Sequence, residues 1–87
     1  MPIDEKYTKK ELEHKFAQDF GNETFPQLAE IYFVEHDFKR SRLVCEIGLK
    51  HSPKNYDAQY VLSKIELIEG NIIKAERILK KIYKSNN

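Results

Sequence analysis

One cysteine, three glycines and three prolines in 87 residues leave little material for crosslinks or long loops. A lone thiol, Cys45, cannot close an internal disulfide, and points to a reducing compartment. So few glycines and prolines mean short connections, which favours helices joined by tight turns over a strand-rich fold. No apolar run approaches the ~18 residues of a membrane helix. Residues 1–6 lack the basic stretch and apolar core of a signal peptide. The expectation is a cytoplasmic protein with no membrane partner. A net charge of +1 gives no overall attraction to nucleic acid or anionic lipid. His14, His36 and His51 are not spaced as metal ligands, and one cysteine completes no ligand set. There is no glycine-rich phosphate loop, no Ser/His/Asp order and no paired carboxylates to defend as a site. The chain is therefore expected to be no enzyme and to need no cofactor.

What is present is a single domain's worth of amphipathic sequence. Hydrophobic residues make up 40% and charged residues 33%, too apolar for a disordered chain and too charged for a membrane span. Five helical segments are separated by turn signals. In the first, residues 4–20, Leu12, Phe16 and Phe20 recur every four positions, and Gly21 is expected to end it. Thr24 and Gln27 have the form of a capping box for the second segment, with Pro26 in its first turn. That helix carries Phe25, Leu28, Ala29, Ile31, Tyr32 and Phe33, and turns at His36-Asp37. The third, residues 38–50, carries Leu43, Val44, Cys45, Ile47 and Leu49, and stops at Ser52-Pro53. The fourth covers residues 56–69 and ends at Gly70-Asn71; the fifth covers residues 72–83.

Shifting the sequence along itself by 34 residues aligns these segments. Leu28 falls on Leu62, Ala29 on Ser63, Ile31 on Ile65 and Val34 on Ile68. His36-Asp37 falls on Gly70-Asn71, Phe38 on Ile72, Ser41 on Ala75, Val44 on Ile78 and Cys45 on Leu79. Small residues stay small, apolar ones stay apolar, and the turn stays at the turn. A 34-residue period with two helices per unit resembles the tetratricopeptide repeat. Residues 22–55 and 56–87 are similar to two such units, with residues 4–20 as an N-terminal packing helix. Phe25, Leu28-Ala29, Tyr32, Ser41, Gly48 and Pro53 carry the resemblance in the first unit. Leu62-Ser63, Gly70-Asn71, Ala75 and Leu79 carry it in the second. Gln59 and Glu66 depart from it where the family prefers aromatics, His36 replaces the turn glycine, and Ile82 is larger than usual. The resemblance implies an all-α fold of about five helices: one domain over residues 1–87, in which antiparallel helix pairs form a right-handed superhelix.

The resemblance also implies a function, the binding of another protein or peptide segment by a non-catalytic scaffold. First helices of such pairs line a concave groove. The positions expected there are Gln27, Glu30, Phe33 and Val34, then Tyr60, Val61, Lys64, Leu67 and Ile68, with Glu23, Pro26 and Asp57 beside them. Some family members clamp a terminal carboxylate with cations in the groove. Here only Lys64 is cationic and Glu30 would repel a carboxylate. The fifth helix is more apolar than one neighbour requires, so Ile78, Leu79, Ile82 and Tyr83 form a second candidate face. It fits a homo-oligomer sealed through the last helix, another partner, or the continuation of a longer repeat protein. Lys74, Arg77, Lys80, Lys81 and Lys84 oppose only Glu76 in residues 72–87. A nucleic-acid role for this basic run lacks aromatic interleaving or a recognition-helix motif.

Overall fold

A computed structural model describes residues 7–85, which form five α-helices and no strand. Helix α1 spans Lys9–Gln18. It begins where Thr8 and Glu11 form a capping box: the Thr8 hydroxyl accepts from the Glu11 N–H at 3.1 Å, and the Glu11 carboxylate accepts from the Thr8 N–H at 3.0 Å. The expected start at residue 4 lies outside the described residues. The expected end at Phe20 is two residues too late, because Asp19 leaves helical geometry with φ −153°. The Asp19 carboxylate then accepts from the Gly21 N–H at 3.0 Å, so a side chain rather than a left-handed glycine turns the chain.

Helix α2 spans Phe25–Val34, with Pro26 in its first turn. The expected capping box of Thr24 and Gln27 does not form. The Thr24 hydroxyl instead donates to the Asn22 side chain at 2.7 Å, and the Thr24 N–H donates to the same oxygen at 2.9 Å. Asn22 outcompetes Gln27 because a side-chain carbonyl two residues back closes a tight local turn. Helix α3, Phe38–His51, is capped by the Asp37 carboxylate, which accepts from the Arg40 N–H. Asn55 does the same for α4, Tyr56–Ile68, accepting from the Ala58 N–H. Helix α5 spans Ile72–Ser85.

The turns between α2 and α3 and between α4 and α5 share one bond pattern. The Asp37 N–H donates to the Tyr32 carbonyl and the His36 N–H to the Phe33 carbonyl; the Asn71 and Gly70 N–H groups donate to Glu66 and Leu67. Each pair of bonds closes a helix end around a left-handed residue. That residue is Gly70 at φ 83° in the second turn and His36 at φ 63° in the first.

Helices α2 and α3 form an antiparallel hairpin. Near the turn the Ser41 hydroxyl donates to the Ala29 carbonyl at 2.7 Å, and at the far end the Phe25 ring lies on Gly48. Small residues at these crossings let the helix axes approach. Helix α1 packs on α2, α4 packs on both α2 and α3, and α5 packs on α4. One core joins α1 to α4, built of Leu12, Phe25, Leu28, Tyr32, Val44, Cys45, Val61 and Ile65 with Ala29 and Ala58. Among the described residues no helix is long and apolar enough to cross a membrane.

Candidate functional site

The side of α2 that meets α4 carries the predicted groove residues. Glu30 and Lys64, 34 residues apart, meet across it at 2.7 Å. The Lys64 ammonium also sits 4.7 Å from the centre of the Phe33 ring and 5.3 Å from that of Tyr60. A carboxylate and two aromatic faces thus share one cation. Phe33 is held from behind by Phe38, edge to face at 5.3 Å. Glu30 already engages the Lys64 ammonium, so this cation is not free to meet another anion.

Around this centre Val34, Leu67 and Ile68 are exposed to 63%, 44% and 55%, and Tyr60 is exposed as well. Gln27 is half-buried on the same helix. Val61 does not belong to the groove. It is 4% exposed and lies in the core, because Ala58, Val61 and Ile65 fall on one inner stripe of α4. Pro26, likewise expected beside the groove, is buried, while Glu23 and Asp57 are exposed.

At the other end of the stack, Ile78, Leu79 and Ile82 are half-buried and Tyr83 is 73% exposed. Ile72 and Ile73 are open too, at 50% and 73%. The second candidate face is therefore split: α4 covers part of its apolar stripe and leaves the rest to solvent.

Two features had no signal in the sequence. The first is an ionic cluster between α3 and α4. The Arg42 guanidinium donates to both oxygens of Glu66 at 3.0 and 3.1 Å and also to Glu69, while Asn71 donates to Glu66 at 2.9 Å. Arg42 holds the Glu66 carboxyl below its ordinary range despite burial, and Glu66 in turn raises the Arg42 pKa. Glu66 stood out only as an acid where an aromatic was expected. Its partner is 24 residues away, off the repeat register. The second is an apolar cleft of about 310 Å³ between α1 and α3, floored by Leu28 and Val44 and walled by Phe16, Phe20 and Leu43. Leu43 is 53% exposed at its rim. Tyr32 closes one edge by donating to Glu13, and burial, reinforced by that bond, pushes the phenol up to about 12. Cys45 is fully buried, and burial pushes its thiol up to about 12, far from the range of a nucleophile. Among the described residues no cluster of His, Cys, Asp and Glu could hold a metal ion. Comparison with protein families, curated proteins and solved structures finds no match to the chain.

Proposed function

We propose that this chain is a tetratricopeptide-repeat-like module that binds a segment of another protein along α2 and α4 and catalyses no reaction. The observation that carries the proposal is the shared register of backbone and side chains. The same two turn bonds recur 34 residues apart, and Glu30 meets Lys64 at that same spacing. Stacked units in one register give a continuous surface for an extended or helical segment. The right-handed superhelix and the cytoplasmic setting belong to this reading. The exposed aliphatic side chains of Val34, Leu67 and Ile68 are the anchors it offers, with Tyr60 at the side.

The test is affinity capture from the native source with the wild-type chain and the Val34→Glu/Leu67→Glu variant. Both positions are exposed, so helicity by circular dichroism is expected to persist while partner recovery is lost. Unchanged recovery would place the binding surface elsewhere. A second reading, a homo-oligomer sealed through α5, draws on the openness of Ile72, Ile73 and Tyr83. It predicts a concentration-dependent mass in light scattering that Tyr83→Glu reduces to the monomer.

A further inference from the structure

The side of α5 turned away from α4 is a line of cations. Lys74, Arg77, Lys81 and Lys84 recur at spacings of three and four residues, which sets them on one face, with Lys80 beside them. All five are exposed. They lie opposite Ala75, Ile78 and Ile82, the residues that α4 covers. Among the described residues Lys74, Arg77, Lys80 and Lys84 make no ion pair, whereas Arg40, Arg42 and Lys64 each meet a carboxylate. The helix does not account for these charges. A lysine in the last turn complements the helix dipole, but Lys74 stands in the first turn, where a cation is disfavoured. Residues 72–85 carry five cations and one carboxylate, so their net charge is +4 and that of the other residues is −3. The overall +1 therefore hides a strongly dipolar chain. An anionic surface draws in the α5 end and repels the remainder, which sets one orientation.

Apolar side chains stand among the cations. At about 100° per residue, Ile73 falls between Lys80 and Lys84 around the helix. It is 73% exposed, and Tyr83, equally exposed, flanks the line. Nucleic-acid phosphates offer an isoleucine no contact. A protein partner would need a concave, acidic surface to receive a helix that packs on α4 alone. An anionic bilayer needs no such fit: its headgroups meet the cations and its interface takes Ile73 and Tyr83. We propose that α5 seats the chain on the surface of a membrane containing anionic lipid, lying on it without crossing. The expectation of no membrane partner followed from net charge and from the lack of a spanning segment, and neither bears on a contact of this kind. The cations lie outside the α2–α4 groove, so a bound segment and the membrane need not compete.

The probes are sedimenting vesicles of phosphatidylcholine alone and of phosphatidylcholine with an equal part of phosphatidylserine. The whole chain is expected to sediment with the mixed vesicles only, and less as salt rises. Arg77→Gln/Lys84→Gln removes two cations and is expected to weaken partition about 25-fold, about fivefold for each. Ile73→Gln is expected to weaken it about fourfold with the salt dependence kept. All three positions are exposed, and circular dichroism checks that the variants stay helical. Oligouridylate and polyglutamate, added at matched anionic charge, test the other polyanions. Neither is expected to displace the chain from the mixed vesicles. Binding to both vesicle types or to neither, partition unmoved by Arg77→Gln/Lys84→Gln or by Ile73→Gln, or displacement by either polymer overturns the proposal. The last outcome would assign the face to nucleic acid or to an acidic protein.

Discussion

Gly48→Ala is the sharpest test of how the first hairpin is packed. A methyl group built on Gly48 would lie 2.2 Å from Cε1, 2.3 Å from Cδ1 and 2.7 Å from Cγ of Phe25. Ordinary carbon contacts are about 3.5–4 Å, so the ring must retreat by more than an ångström. It has nowhere to go at low cost, because Phe25 is 1% exposed and packed in the core. Overpacking of this depth costs about 3 kcal/mol, the upper part of the usual range. Alanine recovers about 1 kcal/mol, because glycine is the weaker helix former inside α3. The net loss is about 2 kcal/mol, or a fall in Tm of about 8–16 °C for a domain of this size. Urea unfolding followed by circular dichroism measures the first quantity and a thermal scan the second. Phe25→Leu in the same chain should restore part of the loss, with a coupling of about 1 kcal/mol in the double-mutant cycle. An unchanged or raised Tm in Gly48→Ala would mean that helix propensity prevails and that the ring is not seated on Gly48.

Other expectations follow from the turns and the buried polar groups. His36→Gly should stabilise the chain by about 0.5–1 kcal/mol by relieving a left-handed backbone, and Gly70→Ala should cost about 1 kcal/mol for the converse reason, both read by urea unfolding. Glu66→Ala should cost about 1–2 kcal/mol, less than a fully buried pair because the Arg42 side chain is a quarter exposed. Glu66 is depressed in the folded state, so its stabilisation is full above the ordinary carboxylate value of 4.5 and is lost as pH falls through the lower folded value. Glu66→Gln should therefore flatten the acid limb of a stability–pH curve. Cys45 is raised from 9.0 to about 12, so between these values the unfolded chain releases its proton first and stability falls with rising pH. Below that window the native thiol should resist a disulfide reagent, reacting only as fast as the chain opens.

The helices were legible because each carries its own periodic stripe and a local stop. Asp37 and Pro53 act within three or four residues, a range over which sequence neighbours are also spatial neighbours. The C-terminal end of α1 was misplaced for the same reason in reverse. Asp19 competes with longer apolar spacing by a short side-chain bond, and the spacing of Phe16 and Phe20 gave no sign of which would win. In the groove, Glu30, Phe33, Tyr60 and Lys64 were named from register and are brought together. Val61 was misassigned because one position around a helix, 100°, separates the inner stripe from the groove edge. Arg42 and Glu66 were invisible as a pair, since no periodicity links two charges on different helices.

The hairpins differ in how they fill the space between their helices, and this limits how such a chain can be rearranged. The first sets a large ring on α2 against a glycine on α3. At the same register the second has Gln59 on its first helix and Ile82 on its second, so the bulk has changed sides. Splicing α2 to α5 would drive Phe25 into a branched side chain, and splicing α4 to α3 would leave Gln59 above bare backbone. A viable shuffle, by recombination or by design, must cut between hairpins and never within one.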